Sequence, residues 1–163
     1  MNEHAGTRRP LGRRETLDLM ASAPLGRVVV SEGALPAVYL VPFALDREYV
    51  VFRAPLDSRL ARAARDSVVA FQADYVDPSA RTGWTATVTG QASLVRDPSA
   101  VARLDDLVPP IGAQDQGQAW FRITTELVTG HLIQEPPGPR AHAEADTAPR
   151  SAPPSPPPPR REA

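Results

Sequence analysis

Residues 26–53, GRVVVSEGALPAVYLVPFALDREYVVFR, decide the fold. Three apolar runs rich in β-branched residues, 26–31, 35–45 and 49–53, are separated by two turn signals, Glu32-Gly33 and Asp46-Arg47-Glu48. Runs of this length between polar or glycine turns read as strands, and such short connections make consecutive strands antiparallel neighbours. Pro42 interrupts the middle run. It has no N–H to donate to a ladder, so it marks an edge, a bulge or a deliberate opening.

Outward from this meander the same alternation returns. Residues 67–75 (SVVAFQADY) and 84–95 (WTATVTGQASLV) read as strands, with Gly90 an expected bulge. Residues 120–133 (WFRITTELVTGHLI) close the body as one strand or a strand pair. Short helices lie between. The first covers residues 15–21, with Leu17, Met20 and Ala21 on one face, and stops before Pro24. The second covers 57–65, capped by Asp57 or Ser58. The third starts at Asp97-Pro98, buries Val101, Leu104, Leu107 and Val108, solvates Asp105 and Asp106, and is stopped by Pro109-Pro110. About six strands with short helices between them predict a mainly β (α+β) domain, a barrel or a sandwich.

The organisation is one domain with two extensions. Residues 1–13 form a flexible basic N-terminus and residues 14–134 the domain. Residues 135–163 hold ten of the 19 prolines. Such a stretch buries too little apolar surface to offset chain entropy, so a disordered Pro-rich tail with polyproline segments is expected. The remaining ~134 residues suffice for one core.

Composition excludes several chemistries. There is no cysteine, hence no thiolate nucleophile, cysteine zinc site or iron–sulfur cluster. All 18 basic residues are arginine, so no lysine Schiff base can form. His4, His131 and His142 are the only histidines, which leaves no multi-histidine metal site. A net charge of −1 argues against a chain that coats nucleic acid. The longest apolar run, 37–45, is too short to span a bilayer, and no signal-peptide core follows the paired arginines. A cytoplasmic protein without membrane association is expected, its chemistry carried by a bound cofactor.

The richest cluster is Phe52-Arg53-Ala54-Pro55-Leu56-Asp57-Ser58-Arg59-Leu60. A strand end delivers Arg53, and a helix start presents Ser58 and Arg59, a combination suited to phosphate. The alternative is a capped helix with surface ion pairs. Asp57 counts against phosphate by repulsion. Pro42 and Phe43 leave backbone groups for a planar ligand or simply mark a bulge. Trp84, followed by Thr85, offers a stacking face or a core ring. His131 reads as a structural histidine.

The ordered set V-P-F-A-L-D, V-V-F-R, S-R-L and R-T-G-W-T-x-x-V-T-G resembles the pyridoxamine 5'-phosphate oxidase-like flavin-binding proteins, in their short actinobacterial branch. The resemblance runs from about Leu17 to Ile133. It implies a six-stranded split β-barrel with short peripheral helices, forming a homodimer with FMN at the subunit interface. Carried over, Arg53 on the strand after Phe52, with Ser58 and Arg59, resembles the phosphate clamp. Pro42 and Phe43 resemble the segment beside the isoalloxazine, and Trp84 and Thr85 the segment approaching it from a neighbouring strand. Arg59 stands where relatives often have lysine, and Asp57 where they often have a small residue. The basic residues that bind substrate phosphate in true pyridoxal phosphate-producing oxidases are missing near residue 133.

Two classes of function follow from the resemblance. One is an FMN-dependent oxidoreductase acting on an unknown small molecule, with no catalytic side chain identified. The other is a non-catalytic or regulatory module holding a flavin, deazaflavin F420, haem or nothing.

Overall fold

A computed structural model describes residues 7–108 and 117–134. The expected tail at 135–163, the start of the chain and the Pro109-Pro110 stop lie outside these residues. Eight strands and three helices follow in the order β1 (Thr7–Pro10), α1 (Arg13–Ala21), β2 (Leu25–Glu32), β3 (Leu35–Asp46), β4 (Tyr49–Pro55), α2 (Arg59–Ala64), β5 (Ser67–Asp77), β6 (Thr82–Leu94), α3 (Pro98–Leu107), β7 (Gln118–Thr124) and β8 (Leu127–Gln134).

All pairings are antiparallel. The order β6-β5-β2-β3-β4-β7 returns from β7 to β6, closing a six-stranded barrel; β8 and then β1 extend the sheet beyond β6. Closure depends on strands that change partner midway. β3 pairs with β2 through Pro42 and with β4 from Phe43 onward. Pro42, without a donor, therefore sits at the transfer point, where a ladder bond is least missed.

β6 changes partner as well, pairing β8 up to Thr89 and β7 from Ala92. Gly90 lies in the gap. It is not the expected bulge, because its register with Val69 on β5 is unbroken. Glycine is there for space: a Cβ would stand 1.8 Å from the Thr124 carbonyl oxygen. The Gln91 N–H bonds Thr124 Oγ1 at 2.8 Å and fixes the corner. The β2–β3 turn uses Gly33 and Ala34, both at positive φ, as a two-residue hairpin of the right twist requires.

Alternate residues fill the barrel. Phe43 and Phe71 meet at 4.7 Å between centroids, and Phe52 stacks on Phe121 at 5.5 Å. α1 packs against β8 and β6 through Thr16 and Met20, while Ala21 is exposed, unlike the face read from sequence. Arg13 ties its first turn to the β7–β8 connection, donating to Thr125 O and Oγ1 at 2.6 Å each. The N-terminal stretch expected to be loose contributes β1, paired with β8 from Thr7 to Pro10. An Arg9–Glu15 ion pair of 2.8 Å adds to its order.

α3 covers the outer face of β4 and β7 through a second cluster of Val51, Leu104 and Trp120, with Val101 and Val108 beside it. Leu107 is exposed, outside the stripe assigned to it from sequence. Asp105 is not simply solvated, because it accepts the Trp120 indole N–H at 2.8 Å. Among the described residues no helix is long and apolar enough to cross a membrane.

Candidate functional site

The eight residues expected to bind cofactor fall into four groups. Phe43, Phe52 and Trp84 are core side chains, all in the main cluster and at most 6% exposed. Their rings fill the barrel, so only their backbones could face a ligand. Alternation explains why, since each occupies the inward parity of its strand.

Arg53 has the outward parity, but α3 covers that face. Its guanidinium donates to the Val108 carbonyl, lies 4.5 Å from the Trp120 ring centroid and stands 3.9 Å from Asp105. Arg59 instead reaches Glu32 at 2.9 Å. Among the described residues the two arginines take different partners, and Arg53 is not in the lining of the cavity that Arg59 faces.

Ser58 and Arg59 do stand together. Ser58 is the N-cap of α2, its hydroxyl accepting from the Ala61 N–H at 3.1 Å. A hydroxyl that accepts one bond still has its own proton to donate. Asp57, the other capping candidate, gives only its backbone carbonyl, to Arg62. Arg59 and Arg62, three residues apart and so on one helical face, line an open cavity of about 280 Å³ with Ser31, Glu32, Gly33 and Ala63. Glu32 also accepts the Tyr39 hydroxyl. That bond holds the Tyr39 phenol above its ordinary pKa.

Pro42 and Thr85 are half-buried on the outer sheet face, opposite Leu25 and Asp74 respectively. β2 pairs β5 with Arg27 opposite Gln72, so two residues further along Leu25 lies beside Asp74. One row thus runs Pro42, Leu25, Asp74, Thr85, His131 across five strands. Pro42 and Thr85 are three strand spacings apart, roughly 14 Å. Arg27 pairs with Asp74 across this face. Apolar residues dominate around it: Val38, Leu40, Val68 and Leu127 are 60%, 63%, 66% and 59% exposed.

The Arg59 cavity and the Pro42–Thr85 row occupy opposite ends of β2. From Ser31 to Leu25 is six residues, about 20 Å of strand. Among the described residues no group of three or more His, Asp or Glu could hold a metal ion, and His131 is exposed between Thr85 and Pro10.

Arg62, Glu32 and Tyr39 were not among the residues singled out from sequence. The i, i+3 spacing of Arg59 and Arg62 could have exposed the first. Glu32 meets α2 only through the tertiary fold, and no local pattern reports it.

The chain is a small protein built on a closed six-stranded antiparallel barrel, with an arginine-lined cavity beside one end of an exposed sheet face. Residues 12–132 match the pyridoxamine 5'-phosphate oxidase family, and the chain belongs to it. Similar proteins include Rv0080 of Mycobacterium tuberculosis, described as uncharacterized, 42% identical over 130 residues that span 76% of this chain and 84% of that one. A FAD-binding protein of Mycobacterium smegmatis superposes with a TM-score of 0.65 at 27% identity, over 77% of this chain and 97% of its own. A FAD-binding protein of Mesorhizobium loti shares the fold, with a TM-score of 0.62 at 19% identity over 78% of this chain and 99% of its own.

Proposed function

We propose that the protein binds FMN and acts as a flavin-dependent oxidoreductase on a small molecule, as a cytoplasmic homodimer. The observation that carries this reading is the pair of guanidinium groups, Arg59 and Arg62, on a cavity beside the Ser58 hydroxyl. Two planar cations and a hydroxyl donor match the oxygens of a phosphate group. Family membership and the FAD-binding relative of Mycobacterium smegmatis support a flavin as the molecule that carries it.

Distance supports the dimer. A phosphate at Arg59 and a ring system on the Pro42–Thr85 row lie about 20 Å apart in one chain. A two-fold axis across β2 would bring the Arg59 end of one chain against the Pro42–Thr85 end of the other. It would also cover Val38, Leu40, Val68 and Leu127, an apolar patch that a monomer rarely leaves in water. A bound flavin would supply the hydride-accepting ring. The chain's own residues anchor the phosphate at Arg59 and exclude water at the joined faces.

Titration of the purified protein with FMN and with riboflavin, which lacks the phosphate, tests this. Arg59→Gln should weaken FMN by roughly 1 kcal/mol, about fivefold, the modest size reflecting an exposed guanidinium. Riboflavin binding should not change. A protein that takes up neither flavin overturns the reading.

A further inference from the structure

The cavity that would take the phosphate already has an anion at its wall. Glu32 closes β2, and its side chain is only 16% exposed. It is held from two sides, by the Tyr39 hydroxyl from β3 and by Arg59 from α2 at 2.9 Å. Arg62 lines the same cavity. The local balance is thus two guanidinium charges against one carboxylate. The Tyr39 bond matters because it fixes the carboxylate on the cavity side. Without a fastening, a glutamate at a strand end could swing into water as a ligand arrived.

We infer that Glu32 is the resident anion of the Arg59–Arg62 cavity and a specificity-determining residue of the site, one that an incoming phosphate must displace from Arg59. This deepens, and for its flavin outcome rests on, the phosphate-binding reading above. Arg59 cannot give its full fork to both carboxylate and phosphate. A phosphate seated there also faces the Glu32 charge at close range. Both effects penalise anionic ligands and leave uncharged ones untouched. Glu32 therefore sets a threshold: a phosphate ester enters when the rest of the ligand contributes enough binding, while free small anions are held weakly. Tyr39 is a positioning residue for this function, acting through Glu32.

Glu32→Gln tests it, because the amide keeps the shape and can still accept from Tyr39 while losing the charge. Wild type, Glu32→Gln and, should the amide variant not fold, Glu32→Ala would be titrated with FMN, riboflavin and inorganic phosphate. The expected result is FMN and inorganic phosphate each bound about fivefold more tightly by the variant, the size of one unit-charge repulsion at a partly solvated site, with riboflavin unchanged. FMN and riboflavin moving together would mean a structural effect, and would overturn the inference. So would FMN and phosphate affinities that stay at wild-type values. If no form binds either flavin but the variant still tightens phosphate, the flavin reading falls and the role of Glu32 stands. If flavins bind and phosphate does not respond to the substitution, the role of Glu32 falls and the flavin reading stands.

Discussion

The Arg53 guanidinium lies over the Trp120 ring, 4.5 Å from its centroid, and this pairing joins β4, β7 and α3. The two residues are direct cross-strand partners on the outer face. Arg53 reaches on to the Val108 carbonyl and Trp120 to Asp105, so each strand residue fastens the helix above it. Arg53, expected to hold phosphate, packs in this chain against Trp120 and the end of α3.

That assignment makes a prediction that separates the two arginines. Arg53→Ala should cost about 2 kcal/mol of folding stability, from a partly desolvated cation–π contact and a charged hydrogen bond. Trp120→Phe should cost about 2 kcal/mol or more, through the lost indole bond and the cavity left under α3. Urea unfolding measures both. FMN affinity should stay within about twofold of wild type in Arg53→Ala, against the fivefold loss for Arg59→Gln. A large FMN loss with unchanged stability in Arg53→Ala would return this residue to the phosphate site.

The barrel corner at Gly90 makes a second prediction. Gly90→Ala forces a methyl onto the Thr124 carbonyl, backbone that cannot rotate away. The expected cost is about 3 kcal/mol or more, at the upper end of overpacking, because β6 and β7 must part where the barrel closes. Gly12→Ala is the control. Nothing lies within 4 Å of its added Cβ, and its backbone is extended at φ −68 and ψ 158. At the N-cap of α1, where alanine is poorer than glycine, the substitution should cost only about 0.5–1 kcal/mol, well short of the Gly90 change.

Sequence alternation gave the strands and their inward faces, since Phe43, Phe52 and Phe71 all fall on the buried parity. It could not say what covers the outward parity. Arg53 and Val51 look solvated on the strand; they are covered because α3, some fifty residues later, docks there. Gly90 announces an irregularity by its type, but whether a bulge or a close approach depends on β7 crossing beside it. Within the candidate site, Ser58 and Arg59 were legible because cap and helix start are local. Glu32 was not, since its meeting with Arg59 joins a strand end to a helix formed 27 residues on.

Acid should loosen two helix ends before it unfolds the barrel. The Ser99 hydroxyl, followed by the Ala100 N–H, holds the Asp97 cap of α3 below the ordinary aspartate value. The Arg9 hydrogen bond does the same for Glu15 on α1. For a carboxylate with a lowered folded pKa, the contribution is full above its unfolded value. It is lost as pH falls through the folded one. Amide exchange in α3 and β1 should therefore rise as pH drops below about 4, after correction for intrinsic rates. Asp97→Asn should remove the effect in α3 alone. A rise shared equally by the barrel strands would assign acid sensitivity elsewhere.

The dimer proposal is tested at Leu40. This residue is 63% exposed, beside Arg27 on β2 and well away from Arg59, so a charge there leaves the barrel core and the arginine cavity intact. In a monomer, Leu40→Glu would be a neutral surface change, within about 0.5 kcal/mol in stability. Between two copies of the same face it places two carboxylates in an apolar interface, since an isologous contact repeats every substitution. Light scattering should give twice the 17.5 kDa chain mass for wild type and the single mass for Leu40→Glu. FMN affinity should fall with the loss of the partner's Pro42–Thr85 row. Riboflavin should fall in parallel, because the ring system loses its contacts whether or not a phosphate is attached. Wild type at the single mass with FMN bound would overturn the proposal and require the flavin to sit wholly within one chain.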